Sequence, residues 1–251
     1  MTAEYIIEAK GLTKEFKGFS AINDVNLKVR AGTIHALIGP NGAGKTTFFN
    51  LLTKFLQPTS GHIVYKGEDI TYAKAFEVAR KGLVRSFQIS AVFPHLTVLE
   101  NVRVALQRSL GTTFHFWRSE QSVEVLNERA RELIEAVGLA EFESLNAVEL
   151  AYGRKRQLEI ATTLALNPEL MLLDEPMAGM AREDIQRITN LIRSIAKTRT
   201  VLMVEHNMSV VAELSDTITV LARGEVLAEG TYSEVSKNPA VVEAYMGTGH
   251  A

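Results

Sequence analysis

The run Gly39-Pro40-Asn41-Gly42-Ala43-Gly44-Lys45-Thr46 has the spacing GxxxxGK[ST], a set of residue types suited to holding phosphate. Glycines let the backbone wrap closely around an anion and turn several N–H groups toward it. A strand-like stretch, Ile34 to Ile38, feeds the run, and a helical pattern follows from Lys45 to Leu56. That helix would aim the positive end of its dipole at the same anion. Lys45 would neutralise the β- and γ-phosphates of a nucleotide, and Thr46 would place its hydroxyl on Mg²⁺; the loop alone leaves kinases, GTPases and helicases open. A glycine-rich turn with an incidental lysine is the bland alternative; a strand before and a helix after argue against it.

Far downstream, Leu170-Met171-Leu172-Leu173-Asp174-Glu175-Pro176 is an apolar strand ending in two adjacent carboxylates. Asp174 would hold Mg²⁺, and Glu175 would polarise an attacking water as general base. Alone, the pair reads as a solvated acidic turn. Together with the upstream loop it reads as the second half of a nucleotide-hydrolysing site.

Short apolar runs at Leu83–Phe87, Leu170–Leu173, Val201–Val204 and Ile218–Leu221 suit the buried strands of a parallel sheet. Amphipathic helices lie between them, the clearest carrying Ile185, Ile188, Ile192 and Ile195 at helical spacing. Strands alternating with helices predict an α/β layered fold. Near the N-terminus, Val25, Leu27 and Val29 alternate with polar residues, as in half-exposed antiparallel strands. Thr97 to Ala165 reads as helical throughout, with breaks at Gly111 and Gly138, and so as an insert. Gly224 to Ala251 reads as a strand, a short helix and a frayed tail.

Lys and Arg number 27 against 29 Asp and Glu, so the basic footprint of a nucleic-acid binder is missing. No cysteine is present, which removes disulfides and thiol chemistry and suits a reducing cytosol. The start, Met1-Thr2-Ala3-Glu4, lacks the pattern of a signal peptide. No apolar stretch reaches the roughly 20 residues of a membrane span.

These motifs occur in one order with Gln88 after the Leu83 strand, Leu150-Ala151-Tyr152-Gly153-Arg154 before the acidic strand, and His206 after the Val201 strand. In that order the chain resembles the ABC (ATP-binding cassette) ATPases over nearly its whole length. The resemblance implies a P-loop NTPase core with an N-terminal antiparallel β subdomain and an inserted α-helical subdomain. A single domain over 1–251 is expected, with 1–88 and 166–251 as the α/β core and 89–165 as the helical part. It assigns Lys45, Gln88, Glu175 and His206 to catalysis, and Thr46, Gln88 and Asp174 to the metal. Phe16 would stack on adenine, residues Gly39 to Thr47 would hold the phosphates, and Leu150, Ala151, Tyr152 and Gly153 would clamp the nucleotide of a second subunit. Singly, Phe16 could be core, Gln88 a solvated strand end and His206 a neighbour of a helix cap.

Several details are similar to the ATPase subunits of branched-chain (hydrophobic) amino acid importers: Leu150-Ala151-Tyr152-Gly153, Gln157 to Ala161, Asp174 to Met180, and Ala228-Glu229-Gly230 with Val235. The implied partners are separate transmembrane permease subunits, a second ABC ATPase subunit (homo- or heterodimer) and an external solute-binding protein. The implied place is the cytoplasmic face of the membrane. An ABC ATPase of a soluble machine such as iron–sulfur cluster assembly, or a non-hydrolysing ATP sensor, is the alternative. Two departures fall on elements that act across the dimer: Ala151 replaces the signature serine, and Ala181 stands where Asp or Asn usually follows the acidic strand. Either family drift or pairing with a different, fuller subunit accounts for them.

Overall fold

The computed structural model describes residues 4–86, 92–109 and 120–246. A long hairpin of β1 (Tyr5–Phe16) and β2 (Phe19–Arg30) opens the chain, turned at Lys17 and Gly18, both at positive φ. β3 (Ile34–Ile38) runs into the glycine-rich loop and α1 (Lys45–Leu52). β4 (Ser60–Tyr65) and β5 (Glu68–Asp69) follow, then α2 (Ala75–Arg80) and β6 (Leu83–Ser86). The inserted helices are α3 (Val98–Ser109), α4 (Glu120–Ala136) and α5 (Tyr152–Leu164). β7 (Leu170–Asp174), α6 (Arg182–Ala196), β8 (Thr200–Val204), α7 (Met208–Leu214), β9 (Thr217–Ala222) and β10 (Glu225–Gly230) rebuild the alternation. Two helices, α8 (Tyr232–Val235) and α9 (Pro239–Met246), close it.

One sheet has the order β2-β1-β4-β5 and is antiparallel; the other has the order β10-β9-β3-β8-β7-β6. In the second sheet β9, β3, β8, β7 and β6 are parallel, and β10 adds an antiparallel edge. The parallel strands are largely apolar on both faces because both faces are covered. Along β7, Leu170 and Leu172 join the core shared with α1 and the antiparallel sheet. Met171 and Leu173 alternate with them and join the core shared with α5 and α6. Ile188, Ile192 and Ile195 of α6 are buried in that second core, with Ile185 partly buried against it.

Three expectations need correction. The helix after the loop ends at Leu52, not Leu56, because Lys54 adopts a left-handed φ of 64° and turns the chain. The tail carries α9 besides the short α8, where the sequence suggested only one short helix. Gly138 ends α4 at positive φ as its type suggests; Gly111 and Phe87 lie outside the described residues. Between α4 and α5 the chain is not helical throughout: it makes short turns and one antiparallel bridge, Thr97 to Asn146.

Candidate active site

Two of the phosphate-loop glycines, Gly39 and Gly44, are fixed by close approaches of other backbone, whereas a Cβ on Gly42 would meet nothing within 4 Å. A Cβ on Gly39 would sit 2.1 Å from the Leu221 carbonyl oxygen of β9. A Cβ on Gly44 would sit 2.6 Å from the Ala21 carbonyl of β2, and Gly44 has φ 104°, which side chains rarely adopt. Gly44 caps α1, so the N-terminal N–H groups of that helix line the loop. Ala43 is buried beneath it, its carbonyl accepting the Gly224 N–H at 3.0 Å. The Tyr245 hydroxyl of α9 accepts the Gly39 N–H, which ties the last helix to the first residue of the loop.

Lys45 is only 8% exposed, and its ammonium donates to the carbonyls of Gly39 at 2.7 Å and Pro40 at 3.0 Å. Burial pulls its pKa below the usual lysine range, while the carboxylates of Glu175 and Asp174 push it back up. The two acids and the lysine therefore share one electrostatic site. Asn41, Gly42 and Thr46 face solvent, with Pro40 and Thr47 half-buried.

β7 delivers Asp174 to the same place. Its carboxylate is 3% exposed and lies 2.5 Å from the guanidinium of Arg85 in β6. Arg85 also donates to Asn50 Oδ1 at 2.6 Å and stacks on the Phe49 ring of α1. Arg156 of α5 donates to the Asp174 carbonyl at 2.9 Å. Glu175 follows at a left-handed φ of 46°, with its N–H on the Val204 carbonyl at 2.9 Å. Such a backbone costs on the order of 1–3 kcal/mol and is kept where surrounding structure enforces it. It brings Glu175 Oε2 within 3.3 Å of His206 Nε2, on the loop after β8.

Among the described residues no cluster of three or more His, Asp or Glu forms a metal cage. Mg²⁺ takes one or two carboxylates and completes its shell with water and substrate phosphates. Thr46 and Asp174 fit such a set: a hydroxyl at the start of α1 and a carboxylate at the end of β7, the latter already meeting Arg85 through one oxygen. Gln88, expected here for both metal and catalysis, lies outside the described residues.

The signature segment starts α5. Leu150 is buried, Tyr152 is exposed, and Gly153 lies beneath Asp184 of α6, where a Cβ would come within 2.4 Å of the carboxylate. Ala151 and Ala181 are the N-caps of α5 and α6, and neither makes a side-chain cap bond. Arg154 turns inward to the Gly138 carbonyl at 3.1 Å and the Phe142 ring. Phe16 is exposed on the β1–β2 turn with Lys14 over its ring.

Sequence reasoning missed Arg85 and Glu205. The signal was present in both cases: a charge within or directly after an apolar parallel strand must find a partner when buried.

With this geometry in place, two family models match the chain: "ABC transporter" over residues 22–178, and "Branched-chain amino acid ATP-binding cassette transporter" over residues 225–251. The chain belongs to the ABC transporter ATP-binding family. The high-affinity branched-chain amino acid transport ATP-binding protein BraF of Pseudomonas aeruginosa is 42% identical, covering 96% of this chain and 98% of BraF. A solved ABC transporter cassette in its ADP conformation superposes with a TM-score of 0.85 at 30% identity, over 97% of this chain and 99% of that one. A dimeric ABC cassette bound to ADP and Pi matches with a TM-score of 0.76 at 26% identity, over 90% and 98%. This ABC subunit is accordingly a nucleotide-binding ATPase component of a transporter. No helix among its described residues is long and apolar enough to cross a membrane.

Proposed function

We propose that this ABC ATPase powers uptake of branched-chain or other hydrophobic amino acids through separate permease subunits. The observation that carries the hydrolytic part of the reading is the pairing of Glu175 with His206 at 3.3 Å, beside Asp174 and the buried Lys45. Lys45 and the loop N–H groups bind the β/γ-phosphates of ATP. Thr46 and Asp174, together with Gln88, would hold Mg²⁺. When bound, the metal neutralises charge developing on the phosphates. Glu175 takes the proton of the attacking water, and His206 holds that carboxylate in place and contacts the γ-phosphate. Phe16 stacks on the adenine.

Leu150 to Gly153 close on the nucleotide of a second cassette, so the working unit is a dimer on the cytoplasmic face of the membrane. An external solute-binding protein would deliver the amino acid. Support comes from the names of the relatives, which are branched-chain amino acid transport proteins, and from the dimeric cassette of like fold. The test is reconstitution with the permease subunits and binding protein in vesicles. Labelled leucine should accumulate only with internal ATP. Uptake unchanged when this chain is omitted would refute the assignment.

A further inference from the structure

We infer that Glu205 is a positioning residue that ties the turn carrying Glu175 to the turn carrying His206. It is 2% exposed, directly after β8. One carboxylate oxygen accepts the Met177 N–H at 3.0 Å. The other accepts the N–H groups of His206 at 2.7 Å and Asn207 at 2.9 Å. Asn207 in turn caps α7, accepting from Ser209 at 3.2 Å and Val210 at 3.3 Å.

The position explains the residue type. β7 and β8 run parallel, and their ladder ends where the Glu175 N–H meets the Val204 carbonyl. Beyond that bond the two chains diverge, and the N–H groups of Met177, His206 and Asn207 point at no strand. A carboxylate is acceptor-only on both oxygens, so it can collect all three. Bonds of this kind are shorter and about twice as strong as neutral ones. Glutamine cannot do the same: its single carbonyl holds one turn, and its NH₂ then faces the N–H of the other. The Glu175–His206 separation is thus set from beneath by one side chain that holds the backbone of both turns.

The inference rests on the proposed roles of Glu175 and His206, and the experiment separates the two. Mg-ATP turnover is measured on the full-length chain for E205Q, H206A, E205Q/H206A and E175Q, with melting curves for each. A misplacement near 1 Å can cost about 100-fold in rate, so E205Q should lower kcat by about 10- to 100-fold. KM for ATP should not change. E205Q/H206A should turn over at nearly the rate of H206A alone, because both changes disable the same pair. A wild-type kcat for E205Q, or losses that multiply in the double variant, would overturn the inference while an inactive E175Q left the proposed function standing. Wild-type turnover by E175Q would instead remove the proposed function itself. Should E205Q not fold, E205D keeps the charge but reaches one methylene less far; it carries the same expectations and the same contrary results.

Discussion

Arg85 and Asp174 form a buried ion pair across two adjacent parallel strands, with the arginine also anchored on α1 through Asn50 and Phe49. The acid proposed to hold the metal is therefore neutralised by a cation of its own chain. Removing one partner of a buried pair leaves an uncompensated charge and costs about 3–5 kcal/mol. Arg85→Gln should destabilise the chain by that order in denaturant melts without nucleotide. Adding Mg-ATP should recover a larger share of stability for the variant than for the wild type, because the metal supplies the missing charge. Equal gains for both proteins would show that Asp174 does not meet the metal.

Lys45 supplies the side-chain charge of the phosphate loop while its own loop carbonyls orient it. A charge-assisted bond contributes about 1.5–3 kcal/mol, so Lys45→Ala should weaken ATP binding by about 10- to 100-fold. Titration with a fluorescent ATP analogue reads this directly. Unchanged affinity would contradict the loop's role.

Most of this was legible because the chemistry is local in sequence. The residues from Gly39 to Thr46 and the pair Asp174–Glu175 are contiguous, and the apolar runs feeding them could only be strands buried on both faces. A buried charge in or after an apolar strand signals that a partner exists, but which distant segment supplies it could not be read. Arg85 meets Asp174 across 89 residues, and Glu205 reaches Met177 across 28. The left-handed turn at Lys54 and the helix α9, docked through Tyr245 onto Gly39, leave no periodic trace either.

The two family departures share a structural position, since Ala151 and Ala181 each begin a helix without a side-chain cap. Replacing alanine by a good N-cap gains about 1 kcal/mol. Ala151→Ser and Ala181→Asp should each raise the melting temperature of the chain. If the signature acts on the nucleotide of a second cassette, Ala151→Ser should also strengthen ATP-dependent dimerisation by about tenfold. A stability gain with no change in dimerisation would place the signature hydroxyl away from the phosphate. Should the partner be a different chain with a fuller signature, disabling Glu175 here would cost most of the assembled ATPase activity, and disabling the partner's base little. Equal losses would leave family drift as the explanation.

His35 lies in the middle of the parallel sheet, 1% exposed, and burial lowers its pKa to about 4. Its Nε2 is 2.7 Å from the Thr219 hydroxyl, which donates onward to Glu229 at 2.6 Å. The unfolded chain binds the proton first as pH falls, so this residue's contribution is present above pH 6.5 and is lost down to about pH 4. The loss is on the order of 3 kcal/mol. Denaturant melts across that window should show a steeper fall for the wild type than for His35→Gln. Parallel curves would mean that His35 is not held neutral.

If Glu175 is the base and ATP hydrolysis drives transport, removing that one carboxylate must stop both. Glu175→Gln keeps the size and hydrogen-bonding capacity of the side chain and removes the base. A general base contributes typically about 10²–10⁴-fold in rate. In the reconstituted transporter this variant should bind Mg-ATP with wild-type affinity, lose turnover by that order, accumulate as a closed dimer and stop amino acid uptake. Turnover and uptake at the wild-type rate would show that Glu175 is not the base.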